Sequence, residues 1–133
     1  MFAMSKKNAT VIETRMVEMV FPDQTNHYGT LLGGHALQLM DKSAFITASR
    51  HSRQAMVTAC SERVDFKAPV KEGQLVEVIG RVGKIGNTSI SIDVELFAEN
   101  LLTGERQLCA EGRFVMLAIN RHNKPVPISS KKK

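Results

Sequence analysis

One stretch of the chain gathers most of the residues that chemistry can use: Phe21-Pro22-Asp23-Gln24-Thr25-Asn26-His27-Tyr28-Gly29-Thr30-Leu31-Leu32-Gly33-Gly34-His35-Ala36-Leu37-Gln38-Leu39-Met40-Asp41. Gly33-Gly34 stands where a helix is predicted to begin. Two missing side chains there let a ligand carbonyl approach free backbone N–H groups. Those donors, with the positive end of the helix dipole, stabilise an oxyanion. A flexible turn explains the pair equally well, so Gly-Gly alone decides nothing. Asp41 comes four residues after Leu37 and three before Ala44, on the apolar face of that helix or at its border. It is either a solvated border charge near Lys42 or a partly buried general base or nucleophile. Asn26 and Thr30 can cap the helix, order the loop or hold a water near Asp41. His27 and His35 compete for the role of base, because neutral imidazole suits pH 7. No Ser or Cys nucleophile is recognisable beside them.

The elements that position these residues follow from hydrophobic period. Val11 to Phe21 alternates as a strand and stops at Pro22, which has no N–H for a ladder. From Gly34 to about His51 the period lengthens: Leu37, Met40, Ala44 and Ala48, with Leu39 and Ile46 beside them, fit a helix packed on one side. Arg50, His51 and Arg53 complement the negative end of its dipole. Period two then returns in Met56–Phe66, Leu75–Val82, Thr88–Ala98 and Gln107–Ile119. Glu72-Gly73, residues 83–87 and Thr103-Gly104 supply the turns. One helix and five strands make an α+β domain over 8–123, a curved antiparallel sheet of five or six strands around the helix, with polar tails at 1–7 and 124–133. Short connections predict antiparallel neighbours, and exposed sheet edges predict dimerisation through an edge strand.

Composition narrows the function classes. At 133 residues, 43% hydrophobic and 23% charged, this is an ordinary globular chain of one domain. No run reaches the roughly 18 apolar residues of a membrane span, and the start lacks a secretory core, so cytoplasm is the expected compartment. The net charge of +5 is a matter of the ends. Without Lys6, Lys7, Lys131, Lys132 and Lys133, basic and acidic residues balance. A single Tyr and no Trp argue further against a specific nucleic-acid face. Cys60 and Cys109 lie in strand-like segments and are expected as small buried hydrophobes; two thiols without supporting ligands make no zinc site.

The combination resembles the acyl-CoA thioesterases of the hot-dog superfamily, in the branch of the brain-type acyl-CoA hydrolases and their small bacterial relatives. Asn26 to Gly34, Met40-Asp41 and Arg50-His51 carry the likeness, with Val64 to Gly73, Gly86-Asn87-Thr88-Ser89 and Glu99 to Arg106. Together they cover about residues 10 to 120. The resemblance implies Asp41 as the catalytic carboxylate and the Gly33-Gly34 amides, chiefly that of Gly34, as donors to the thioester carbonyl. Relatives often carry Asn or Asp where Thr30 stands, so Asn26 is the better candidate to orient water, with Thr30 assisting. CoA is substrate and product, and no cofactor or metal is implied. Its phosphates need cations, for which Arg50, Arg53, Lys67 and Lys84 are available. Gly86, Asn87, Thr88 and Ser89 offer donors to pantetheine or phosphate, and Gly33 and Phe66 are expected beside the ligand. Val57, Ala59 and Phe66 border an acyl tunnel or belong to the core. The resemblance also implies a site formed between subunits, and a dimer or three dimers together. Hot-dog hydratases and dehydratases, and non-catalytic acyl-CoA sensors, are the alternatives. The former use a His–carboxylate pair, and the latter usually carry a DNA-binding domain for which this chain has no room.

Overall fold

A computed structural model of the protein describes residues 10–129. The expected polar ends at 1–7 and 130–133 lie outside the described residues. Five strands and one long helix follow each other as β1 (Glu13–Met19), α1 (Gly33–Ser52), β2 (Met56–Phe66), β3 (Leu75–Ile85), β4 (Ser89–Glu99) and β5 (Arg106–Ala118). A short 3₁₀ turn, Pro22–Gln24, separates β1 from the loop that leads into α1. Each predicted element is present, with ends moved by no more than three residues.

The sheet is antiparallel throughout, in the order β1-β3-β4-β5-β2. Strict alternation makes β4 its centre. Ile90, Ile92, Val94, Leu96 and Ala98 are buried toward the helix, and Asp93 and Glu95 point away. The outer face is polar and tied by ion pairs: Arg81 joins Glu13 and Glu95, and Arg15 also holds Glu13. Arg15 and then Arg81 keep the Glu13 carboxyl below the ordinary carboxylate range.

Short connections do not everywhere give adjacent strands. β2 pairs with β5 at one edge of the sheet, three places from β3. The intervening segment, residues 67–74, must cross the end of the sheet. Its path is fixed by hydrogen bonds from Lys67 and Ala68 N–H to the Cys109 carbonyl (2.7 and 3.3 Å). Another runs from Leu31 N–H to the Val70 carbonyl (2.7 Å). Pro69 within this segment cannot join a ladder, which favours crossing over pairing.

The helix packs close against β3. A Cβ on Gly80 would lie 2.6 Å from Thr47 Oγ1 and 2.7 Å from Ser43 Oγ, so only glycine fits there. Two expectations change. Cys60 is exposed while Cys109 is buried, because β2 is an edge strand with little covering it. The domain also continues past residue 123. Val126 packs on the core, Ile128 is fully buried, and Ile128 N–H donates to the Asn87 carbonyl at 2.8 Å. Gln54 Nε2 donates to the Pro127 carbonyl and its Oε1 accepts from Ser129 N–H. Ile128→Ala should therefore lower unfolding free energy by about 2–5 kcal/mol, seen as an earlier urea midpoint at fixed protein concentration. A floppy tail would show no change.

Candidate active site

Two stripes run along α1. The buried one is Ala36, Leu39, Met40, Ser43, Ala44, Thr47 and Ala48. Beside it, at four-residue steps, come Leu37, Asp41 and Phe45. Leu37 and Phe45 are 37% and 45% exposed, and Asp41 is half-buried. The expected apolar face thus rotates away from Leu37, and Asp41 stands on its border. There β2 reaches it: Thr58 Oγ1 donates to Asp41 Oδ1 at 2.7 Å. Among the described residues Asp41 forms no ion pair, with Lys42 or any other cation. One carboxylate oxygen is held and the other remains an acceptor. Thr58 escapes sequence reasoning, because a threonine in a strand is unremarkable.

The loop before the helix is organised by Asn26. Its Oδ1 accepts from Tyr28 N–H (2.9 Å), Thr30 N–H (3.1 Å) and Thr30 Oγ1 (3.1 Å). Its N–H donates to the Thr30 carbonyl at 2.8 Å, and Gly29, at φ +77°, closes the turn. The Thr30 hydroxyl hydrogen is therefore engaged by Asn26, so Thr30 braces Asn26 rather than donating to a water. Asn26 keeps its Nδ2 group as donor. His27 packs against Tyr28 in the exposed part of the loop, with ring centroids 3.9 Å apart and the rings tilted by 39°. His35 Nε2 is buried in the first turn of α1 without a hydrogen-bond partner among the described residues.

Among the described residues no side chain caps α1. Its first internal bond runs from Ala36 N–H to the Leu32 carbonyl, so the amides of Gly33, Gly34 and His35 have no acceptor within the helix. Gly33 and Gly34 are exposed, and a Cβ on either would meet nothing within 4 Å. One copy of the chain gives no steric reason for two glycines.

Beside this helix end opens a cavity of about 380 Å³, lined by Leu31, Gly33, Ala36, Phe66, Lys67, Ala68, Pro69, Val70, Leu96, Cys109 and Ala110. Phe66 lines it as expected. Val57 and Ala59 do not: they are exposed on β2.

The remaining candidates divide between the two ends of a helix about 30 Å long. Gly33, Gly34, Phe66 and Lys67 belong to the N-terminal end, and Lys67 Nζ pairs with Glu111 at 3.2 Å. Arg50 and Arg53 lie at the C-terminal end. The 86–89 loop is near them, because Asn87 holds Ile128 while Ser129 holds Gln54. Lys84 precedes that loop and is exposed. One copy of the chain does not bring these two sets together. Nor does it bring Gly34 to Asp41, which stand on one helix face but seven residues, about 10 Å, apart.

The family model for the thioesterase superfamily matches residues 28–105. The chain belongs to that superfamily. An uncharacterized acyl-CoA thioester hydrolase of Bacillus subtilis is 36% identical over 122 residues, 92% of this chain and 69% of that protein. A hexameric acyl-CoA thioesterase structure is 40% identical with a TM-score of 0.85, over 87% of this chain and 74% of that one. An acyl-CoA hydrolase of Staphylococcus aureus, solved with butyryl-CoA and CoA, is 28% identical with a TM-score of 0.83. It covers 87% of this chain and 71% of that one. Alanine variants of that hydrolase have been solved at an aspartate, an asparagine 15 residues before it and a threonine 17 residues after it. The thioesterase fold around one helix is thus the hot-dog fold expected from the sequence.

If Thr30 acts by bracing Asn26, Thr30→Val should loosen the 26–30 turn without unfolding the domain. Amide exchange at Thr30 should quicken about 5-fold, the weight of one hydrogen bond. Unchanged exchange would remove Thr30 from the loop's support.

Proposed function

We propose that Asp41 is the base of an acyl-CoA thioesterase, in a site that two copies of the chain complete. The protein hydrolyses a fatty acyl-CoA to the free acid and CoA. The observation that carries the assignment is the Thr58–Asp41 hydrogen bond, which fixes a half-buried carboxylate on the helix border. Asn26, Asp41 and Thr58 repeat the spacings of the asparagine, aspartate and threonine varied in the Staphylococcus aureus hydrolase.

A thioester carbonyl placed on the Gly34 amide meets a free donor and the positive end of α1, which favour the oxyanion. Asp41 takes the proton of a water, the water oxygen attacks the carbonyl carbon, and collapse of the tetrahedral intermediate expels CoA as thiolate. Asn26 Nδ2 donates to the water or to the substrate. A base must lie within hydrogen-bond reach of its proton or one water away. On one copy the two stand about 10 Å apart along the helix backbone, and in the proposed site Gly34 of one copy pairs with Asp41 of the other.

Such a pairing uses what the fold leaves open. β2 presents an unpaired edge, and Leu37 and Phe45 flank Asp41 on the exposed stripe. Two helices laid antiparallel along that stripe bring Asp41 of each copy to Gly34 of the other. They also bring Arg50, Arg53, Lys84 and the 86–89 loop of one copy beyond the Gly33–Gly34 end of the other helix, where they meet the CoA phosphates. Three dimers would then form the larger assembly, as the hexameric relative suggests. The reaction needs no cofactor, since CoA arrives with the substrate. Among the described residues no helix is long and apolar enough to cross a membrane, and we place the reaction in the cytoplasm.

Thiol release from short, medium and long acyl-CoAs tests the assignment. Asp41→Ala should lower kcat at least ~100-fold, and Thr58→Val about 10-fold with little change in KM. Near-normal turnover in Asp41→Ala would sink it. In ¹⁸O-water under single-turnover conditions label should enter the released acid. Label in the Asp41 carboxylate would instead mean direct attack through a mixed anhydride.

A further inference from the structure

The cavity beside the helix N-terminus is more than a mouth for the substrate. Its outer rim is Gly33 and Phe66, both exposed, and its floor is Leu96, Cys109 and Ala110, each at most 1% exposed. The floor owes its shape to an irregularity in the sheet. Leu96 pairs with Ala110, but the next pair is Phe97 with Leu108, so Cys109 is an extra residue in β5. Bulges re-aim side chains, and here Cys109 and Ala110 both turn inward although they are consecutive. The bulge also sets the cavity's wall, since the Cys109 carbonyl accepts from the N–H groups of Lys67 and Ala68. Burial pushes the Cys109 thiol above its ordinary range, so it is a neutral, apolar surface.

We propose that this cavity takes the acyl chain and that Cys109, at the bulge, sets the longest chain accepted. The proposal rests on the thioesterase assignment above. An acyl tail leaves the carbonyl at the Gly34 amide and enters beneath the helix end. Pantetheine is a poor occupant: its amides would lie against a floor without side-chain partners, at a desolvation cost an alkyl chain does not incur. On the scale by which a cavity of ~150 Å³ holds benzene, about 380 Å³ has room for a chain on the order of ten carbons.

The test is kcat/KM for thiol release from butyryl-, hexanoyl-, decanoyl- and palmitoyl-CoA, with the full chain as it assembles. Cys109→Leu raises the floor, and the decanoyl-to-butyryl ratio should fall at least ~10-fold, as expected for a pocket short of room by a methylene or more. Cys109→Ala deepens the floor by about the size of a methyl group, so the ratio of dodecanoyl- to decanoyl-CoA, assayed in the same way, should rise several-fold. Ratios that stay at the wild-type value in both variants, or rates that fall equally for every chain length, overturn the pocket assignment while leaving the hydrolase intact. Wild-type protein that releases no CoA from any of the four fails the thioesterase assignment and this proposal with it.

Discussion

The rise of an α-helix holds Gly34 and Asp41 about 10 Å apart on the same face, and no side-chain rotation closes that gap. The uncapped amides are fixed at the first turn, and the carboxylate is fixed two turns later. This separation is the reason the proposed site draws on two helices. The same separation accounts for the distribution of the other groups. The cavity and Asn26 belong to one end, while the cations Arg50 and Arg53, unpaired among the described residues, belong to the other. In the proposed dimer, two antiparallel helices would join what looks scattered on one copy.

Hydrogen bonds from hydroxyl groups then set the precision of each half. Thr58 fixes one oxygen of Asp41 from the edge strand, and Thr30 fixes the Asn26 carbonyl from within its loop. In both cases a threonine orients the polar group beside which it sits, leaving the partner's other atom free for water or substrate. The close packing at Gly80 keeps α1 seated on β3, so these positions are not adjustable by sliding the helix.

The sequence makes most of the fold legible because its periods are clean. Ile90 to Leu96 alternates so regularly that β4 could be nothing but a half-buried strand, and the helix announces itself by the change of period after Gly34. Asp41 was legible too, as a charge beside an apolar stripe. Long-range partners were not. Thr58 reaches Asp41 only because β2 ends up at the sheet edge, and nothing local distinguishes it from any strand threonine. The placement of β2 next to β5 depends on the path of residues 67–74, whose anchors lie in β5 and in the loop before the helix. Ile128 sits in a stretch rich in proline and polar residues, so its burial could be found only from the surface it covers. The bulge at Cys109 is a matter of register, which alternation within β5 alone does not reveal.

Complementation between two disabled chains tests the shared site most directly. Asn26→Ala removes a group from one half, and Asp41→Ala removes the base from the other. Each variant alone should be nearly inactive in thiol release. Refolded together in equal amounts, half of the dimers are mixed and one of their two sites is intact, so about a quarter of the wild-type rate should return. No recovery, with mixed dimers demonstrated by differently tagged chains, would contradict a site built from two copies.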